Sequence, residues 1–125
     1  MSVDSLKNEF QLRYKNTASH IFYCPGRINL IGEHIDYNGG KVMPCAISRG
    51  TWLAIRINED ELFRFQCLNF PETAELEIKE NYTSSGMAWF NYPLGVINEF
   101  LKKGITFRGL DMFFYGDIPI GAGLS

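Results

Sequence analysis

No apolar run in this chain approaches the roughly 18 to 20 residues that a bilayer-crossing helix needs. The first ten residues, MSVDSLKNEF, are polar and acidic where a secretory leader would be basic and then apolar. The expected location is therefore cytoplasmic, with no membrane partner. A basic block is also missing: 12 Lys and Arg stand against 14 Asp and Glu, a formal charge of −2. That balance gives a phosphate backbone little to hold and argues against a nucleic-acid partner. Cysteine is scarce, with three residues at 24, 45 and 67, no C-x-x-C pair and no histidine at metal-ligand spacing. They read as reduced and mostly buried, and the sequence offers no metal ligands. Internal repeats and low-complexity linkers are absent too. What remains is 125 residues, 46% hydrophobic and 14% aromatic, enough to pack one domain or part of one.

The pattern along the chain predicts an α+β fold. Leu6, Phe10 and Tyr14 recur on one helical face over 4–15, with Asp4 as the expected N-cap. A short strand over 20–24 should break at Pro25-Gly26. Extended runs follow at 41–47 and at 51–57, where Leu53, Ile55 and Ile57 alternate with Trp52, Ala54 and Arg56. Two more, at 62–69 and 74–79, lie beyond an acidic turn at 58–61. The period then changes: Val96, Ile97, Phe100 and Leu101 make a helical stripe over 91–103, with Asn91 as cap, Pro93 in the first turn and Gly104 at the C-terminal stop. Residues 110–115 read as a buried strand and 116–125 as a loop. The expected architecture is a mostly antiparallel sheet with helices on one side.

Two segments carry chemistry. Cys24-Pro25-Gly26-Arg27-Ile28-Asn29-Leu30-Ile31-Gly32-Glu33-His34-Ile35-Asp36-Tyr37-Asn38-Gly39-Gly40 crowds Arg, Glu, His and Asp into ten residues. Carboxylates and an imidazole can bond several hydroxyls of a polyol at once, and an Arg presents a planar fork to phosphate oxygens. By residue type alone the segment would equally suit a solvated turn with a surface salt bridge. The second, Gly116-Asp117-Ile118-Pro119-Ile120-Gly121-Ala122-Gly123-Leu124-Ser125, runs from a strand end into a loop of small residues whose N–H groups could approach phosphate, although a plain turn would look similar. It is not a Walker A loop, since no Gly-Lys-Ser/Thr follows the glycines.

Together the two segments resemble the GHMP sugar and metabolite kinases, and the first is similar to the galactokinase signature. The mevalonate and homoserine branches have other residues where Glu33 to Tyr37 stand. The resemblance runs over 22–125, through Met43-Pro44-Cys45-Ala46-Ile47 and 89–96. It implies the ribosomal protein S5 domain 2-like fold of an N-terminal kinase domain, with the rest of that domain and a C-terminal domain absent from 1–125. It implies that Arg27 stabilises charge on the transferring phosphoryl group. Glu33, His34, Ile35 and Asp36 fall on the substrate-binding stretch, with Glu33, His34 and Asp36 on the sugar hydroxyls. Gly121, Ala122, Gly123, Leu124 and Ser125 fall on the start of the ATP phosphate loop. Trp89 falls near the adenine, where it would also suit a core position opening a helix. Cys24 stands for the usual Ala and Ile35 for the usual Thr.

The implied reaction is transfer of the γ-phosphoryl of MgATP to the C1 hydroxyl of galactose, with magnesium ligands and the base beyond Ser125. The 125 residues alone should be inactive, and apolar surface normally covered by the rest should favour self-association. The alternatives are a kinase for N-acetylgalactosamine and a non-catalytic sugar sensor of the same family.

Overall fold

The computed structural model describes residues 1–32, 34–84, 86–119 and 121, with the side chain of Asp36 outside that set. Helix α1, Val3–Tyr14, leads into β1, His20–Ile31. A 3-10 turn at Asp36–Asn38 precedes β2, Met43–Ile57. Strands β3, Leu62–Cys67, and β4, Ala74–Glu77, come next, then α2, Asn91–Lys102, and β5, Leu110–Gly116. The five strands form one sheet in the order β1-β2-β5-β3-β4. Three pairings are antiparallel and one, β3 with β5, is parallel. The sheet is thus mixed, mostly antiparallel, in an α+β fold.

Helix α1 buries Leu6 and Phe10 completely, which is worth about 1.5 to 3 kcal/mol for each side chain. Its cap is Ser2, not Asp4: the Ser2 hydroxyl accepts from the Ser5 N–H at 3.1 Å, and Asp4 lies in the first turn, where it complements the helix dipole. In α2 the cap position is Phe90, and Asn91 instead donates from its amide to the Gly86 carbonyl. Gly104 ends that helix with φ +77, as its place in the sequence suggested.

The helices do not share one side of the sheet. Ala54 and Phe113, paired across β2 and β5, pack under α1, while Leu53, Ile55 and Met112 pack with Leu94 and Ile97 of α2. Alternating residues of a strand face opposite ways, so α1 and α2 cover opposite faces. The two-sided burial is already present in the unbroken apolar pattern of Met112-Phe113-Phe114.

Two further expectations change. Strand β1 does not stop at Pro25-Gly26; it continues to Ile31 with register shifts between Pro25 and Arg27 and between Asn29 and Ile31. β1 is an edge strand, where a proline's missing donor is tolerated and bulges absorb the mismatch. The runs at 41–47 and 51–57 are one strand, β2. Gly50 keeps it continuous, because a Cβ there would overlap the carbonyl of Cys24 on β1. Cys24 and Cys45 are exposed and Cys67 half-buried, so the cysteines are free but not mostly buried: the first two lie on the part of β1 and β2 that neither helix covers.

A row of charges fixes the far side of the sheet. Arg64 on β3 lies opposite Asp111 on β5 and Glu75 on β4, and bonds both, at 3.2 and 2.7 Å. Its other nitrogen reaches Asp60 at 2.5 Å. These acidic partners raise the Arg64 pKa further, Glu75 most, although Arg is charged at any working pH regardless. Asn58 completes the row, donating to Asp111 at 2.8 Å and to the Leu62 carbonyl at 2.9 Å.

Candidate functional site

The two chemical segments meet because of strand register. Thr51 of β2 pairs with Cys24 on one side and with Gly116 on the other. The first segment begins at Cys24 and the second at Gly116, so both leave the same row of the sheet. They also approach directly: a Cβ on Gly26 would meet the tip of the Ile118 side chain and press on the Arg49 carbonyl, so the glycine leaves the room that Ile118 occupies.

Each exit is held in place. On β1, Gly32 turns the chain with φ +100, where any Cβ would overlap Lys41 and Val42. His34 follows with φ +61, a conformation that non-glycine residues seldom adopt. It is kept there by its neighbours: the Asn38 side chain donates to the His34 carbonyl at 3.1 Å, and the Gly40 N–H donates to the Ile35 carbonyl at 2.8 Å. The His34 Nδ1 lies 3.1 Å from the Tyr37 hydroxyl. His34, Ile35 and Tyr37 are all exposed, so this turn presents its polar groups to solvent. Arg27 lies on β1 opposite Ala46 and is exposed.

The end of β5 is clamped from both sides. Asn69 accepts from the Gly116 N–H and donates to the Gly116 carbonyl, both at 2.8 Å. Asp117 accepts from the Gly50 N–H at 2.7 Å through its carboxylate, and its own N–H donates to the Gly50 carbonyl. A rigid strand end of this kind is what a backbone phosphate cradle requires.

Of the residues that the resemblance singles out, Arg27 is exposed on β1, and His34 and Ile35 are exposed in the turn that follows it. Glu33, the side chain of Asp36 and residues 122–125 lie outside the described residues; of the expected phosphate-loop residues only Gly121 is described. Trp89 is half-buried, its indole N–H donating to the Glu72 carbonyl at 2.9 Å and its ring edge-on to Phe114. The same ring stacks on Phe70 at 6.4 Å and lines an open apolar groove of about 770 Å³ that also reaches Asn69 and Gly116. It therefore has a core-packing role and also stands beside the strand end that leads to the loop.

Four residues escaped the sequence reading. Asn69 and Asp117 do the clamping, and Asn38 holds the turn; their signal was an amide or carboxylate beside a glycine or in a turn, where such side chains bond nearby backbone. Asn29 lies two residues past Arg27, and its buried Oδ1 has no hydrogen-bond partner among the described residues, an acceptor inside the first segment. Cys67, also on the groove wall, has its thiol pKa pushed up by burial. Among the described residues, no group of three or more His, Cys, Asp or Glu could hold a metal ion and no helix is long and apolar enough to cross a membrane.

Comparison with known proteins agrees with this geometry. Residues 8–57 match the galactokinase galactose-binding signature. The chain is 41% identical over 125 residues to a galactokinase of Clostridium tetani and 44% identical over 128 aligned positions to one of Streptococcus thermophilus. Each match takes in all of this chain but only 32% and 33% of the relative, so the chain spans about a third of the length of the curated relatives it matches. Its fold superposes with a TM-score of 0.91 on the crystal structure of Lactococcus lactis galactokinase complexed with galactose, at 36% identity, covering 98% of this chain and 33% of that one. The Methanococcus jannaschii mevalonate kinase shares the fold, with a TM-score of 0.72 at 21% identity over 84% of this chain and 34% of that one. Signature, identity along the whole chain and fold together match these 125 residues to the galactokinase family, over about a third of its members' length.

Proposed function

We propose that these residues form the sugar-binding part of a cytoplasmic kinase that transfers the γ-phosphoryl group of ATP to the C1 hydroxyl of galactose. The observation that carries the reading is the match of 8–57 to a galactose-binding signature whose residues leave the sheet in the same row as the second segment. In this reading Glu33, His34 and Asp36 bond the sugar hydroxyls, with Ile35 beside them. Arg27 supplies a planar guanidinium, directed at the phosphoryl oxygens as the sugar oxygen bonds to phosphorus and the bond to ADP breaks. Gly121 to Ser125 begin the cradle for the ATP phosphates, and Trp89 with Phe70 offers flat faces for the base. Magnesium, which would offset charge on the ATP phosphates, would be held by side chains outside the described residues. Because catalysis of this kind depends on positioning from all sides, the 125 residues alone should not turn over. In isolation their uncovered apolar surface also favours self-association.

A coupled ADP-release assay on a full-length protein carrying these residues tests the proposal, with galactose and N-acetylgalactosamine as rival acceptors. Faster turnover of galactose is the expected result. Preference for N-acetylgalactosamine would move the substrate, and binding of galactose with no ADP release would make the protein a sensor instead.

A further inference from the structure

The turn after β1 is closed without help from the Tyr37 hydroxyl. The N–H groups of Asn38 and Gly40 both donate to the Ile35 carbonyl, at 3.1 and 2.8 Å, and the Asn38 side-chain amide donates to the His34 carbonyl at 3.1 Å. Tyr37 is also 72% exposed, so burial of its ring contributes little to folding. A phenol standing so openly on a turn that other groups already hold has its use elsewhere. Its oxygen lies 3.1 Å from His34 Nδ1, and the two rings meet edge-on, with planes at 69° and centroids 6.3 Å apart. His34 in turn keeps a φ of +61, a backbone conformation that costs free energy and is found at ligand sites, where the direction of a side chain matters.

We propose that Tyr37 is a positioning residue of the sugar site: its hydroxyl donates to His34 Nδ1 and holds the imidazole as the tautomer that carries its proton on Nε2. The direction of the bond follows from acidity. A phenol O–H is a stronger donor than the N–H of a neutral imidazole, and an imidazole nitrogen is a stronger acceptor than a phenol oxygen. The bond made at one ring nitrogen sets the role of the other, so Nε2–H is left to donate. Its neighbours in the sequence give that role its weight. Glu33 and Asp36, as carboxylates, can only accept from a sugar hydroxyl. A hydroxyl held between one of them and His34 donates to the carboxylate and accepts from Nε2–H, and so uses both of its hydrogen-bonding capacities. With the ring turned over, or with the proton on Nδ1, that hydroxyl loses its donor. Tyr37 thus favours a group that can donate and accept at once, and disfavours its absence, without touching the sugar itself.

This role for Tyr37 rests on the sugar contact proposed for His34, and the test separates the two. In a full-length protein carrying these residues, calorimetry measures the binding of galactose and of the monodeoxygalactoses to the parent, His34→Ala and Tyr37→Phe. The deoxy sugar that the parent and His34→Ala bind alike lacks the hydroxyl that His34 bonds. Tyr37→Phe should weaken galactose about three- to tenfold, the loss of one hydrogen bond, yet leave that same deoxy sugar and ATP unaffected. In steady-state kinetics the KM for galactose should rise by more than kcat falls. Magnetic resonance of protein with isotope-labelled histidine reads the tautomer on the unsubstituted chain, whatever Tyr37→Phe does to folding. The His34 signal, assigned by its loss in His34→Gln, should report a proton on Nε2. Galactose bound equally well by the parent and His34→Ala would remove the sugar contact and, with it, this role for Tyr37. A clear loss in His34→Ala beside a Tyr37→Phe that weakens every sugar alike, or none, would overturn the role of Tyr37 alone. A His34 proton on Nδ1 would do the same.

Discussion

Cys24 and Gly116 stand in one row of the sheet, each paired with Thr51 of β2. The two segments, far apart in the chain, thus leave the sheet from strands that flank a common neighbour. The charged turn after β1 and the clamped end of β5 are held relative to each other by the ladder itself, and reacting groups placed on a rigid frame need little reorganisation. Substitutions on either exit should therefore act on separable quantities.

For Arg27, on the strand itself, the expected effect is on the transition state. Arg27→Ala in the full-length protein should lower kcat by about two orders of magnitude or more, with a smaller change in the KM for galactose. Steady-state kinetics decides: an unchanged kcat with a large rise in KM would assign Arg27 to ground-state binding.

Asp36 should act on the sugar. Loss of a carboxylate that pairs with hydroxyls leaves those groups without partners, at a cost of about 1 to 3 kcal/mol. Calorimetry on Asp36→Ala should show galactose weakened far more than ATP. Equal losses for both ligands would indicate a folding defect.

How much of this could be read from the residues depended on whether the deciding interaction was local. α1 and α2 were legible because Leu6, Phe10 and Ile97 mark helical faces within a dozen residues. The signature was legible because its groups lie side by side in the chain. The caps at Ser2 and Phe90 were missed through competition among neighbouring candidates of similar propensity. β1 running past Pro25, and β2 running through Gly50, depend on a partner strand, which no local pattern reveals. The parallel pairing of β3 with β5 and the placement of the helices on opposite faces are likewise tertiary choices. At the end of β5, the bonds from Asn69 to Gly116 span 47 residues, so no local pattern could show what holds it.

The charge row offers a stability test. Asp111 is 2% exposed and accepts from Arg64 and Asn58, so its removal takes the buried acceptor from both, although Arg64 keeps Asp60 and Glu75 and Asn58 keeps the Leu62 carbonyl. Asp111→Ala should cost about 1 to 3 kcal/mol, read as a lowered urea midpoint. Glu75→Ala removes a partner that is 59% exposed and should cost less than about 1 kcal/mol. Similar losses for both would mean that Arg64 is held by solvent-exposed contacts and that Asp111 matters little.

The last prediction concerns pH and starts at the end of α1. The Tyr14 hydroxyl donates to the Met112 carbonyl at 2.8 Å, tying the helix to β5. Burial raises the Tyr14 pKa well above that of a free phenol, and the nearby Asp111 carboxylate raises it further. The neutral form is thus favoured in the native state more than in the unfolded one. Its contribution is fully present below the unfolded value, near 10, and is lost as pH rises from there toward the higher native value. Urea unfolding should accordingly show stability independent of this group up to about pH 9 and a decline through pH 10 and 11. Tyr14→Phe removes the hydrogen bond, costing about 1 kcal/mol at neutral pH, and also removes the ionisation. Its stability should therefore fall less steeply in the alkaline range, even though Tyr82, whose pKa burial also raises, still contributes. Parallel alkaline limbs for the two proteins would show that Tyr14 ionises as readily in the folded chain as in the unfolded one, and that its burial against β5 does not govern the alkaline loss.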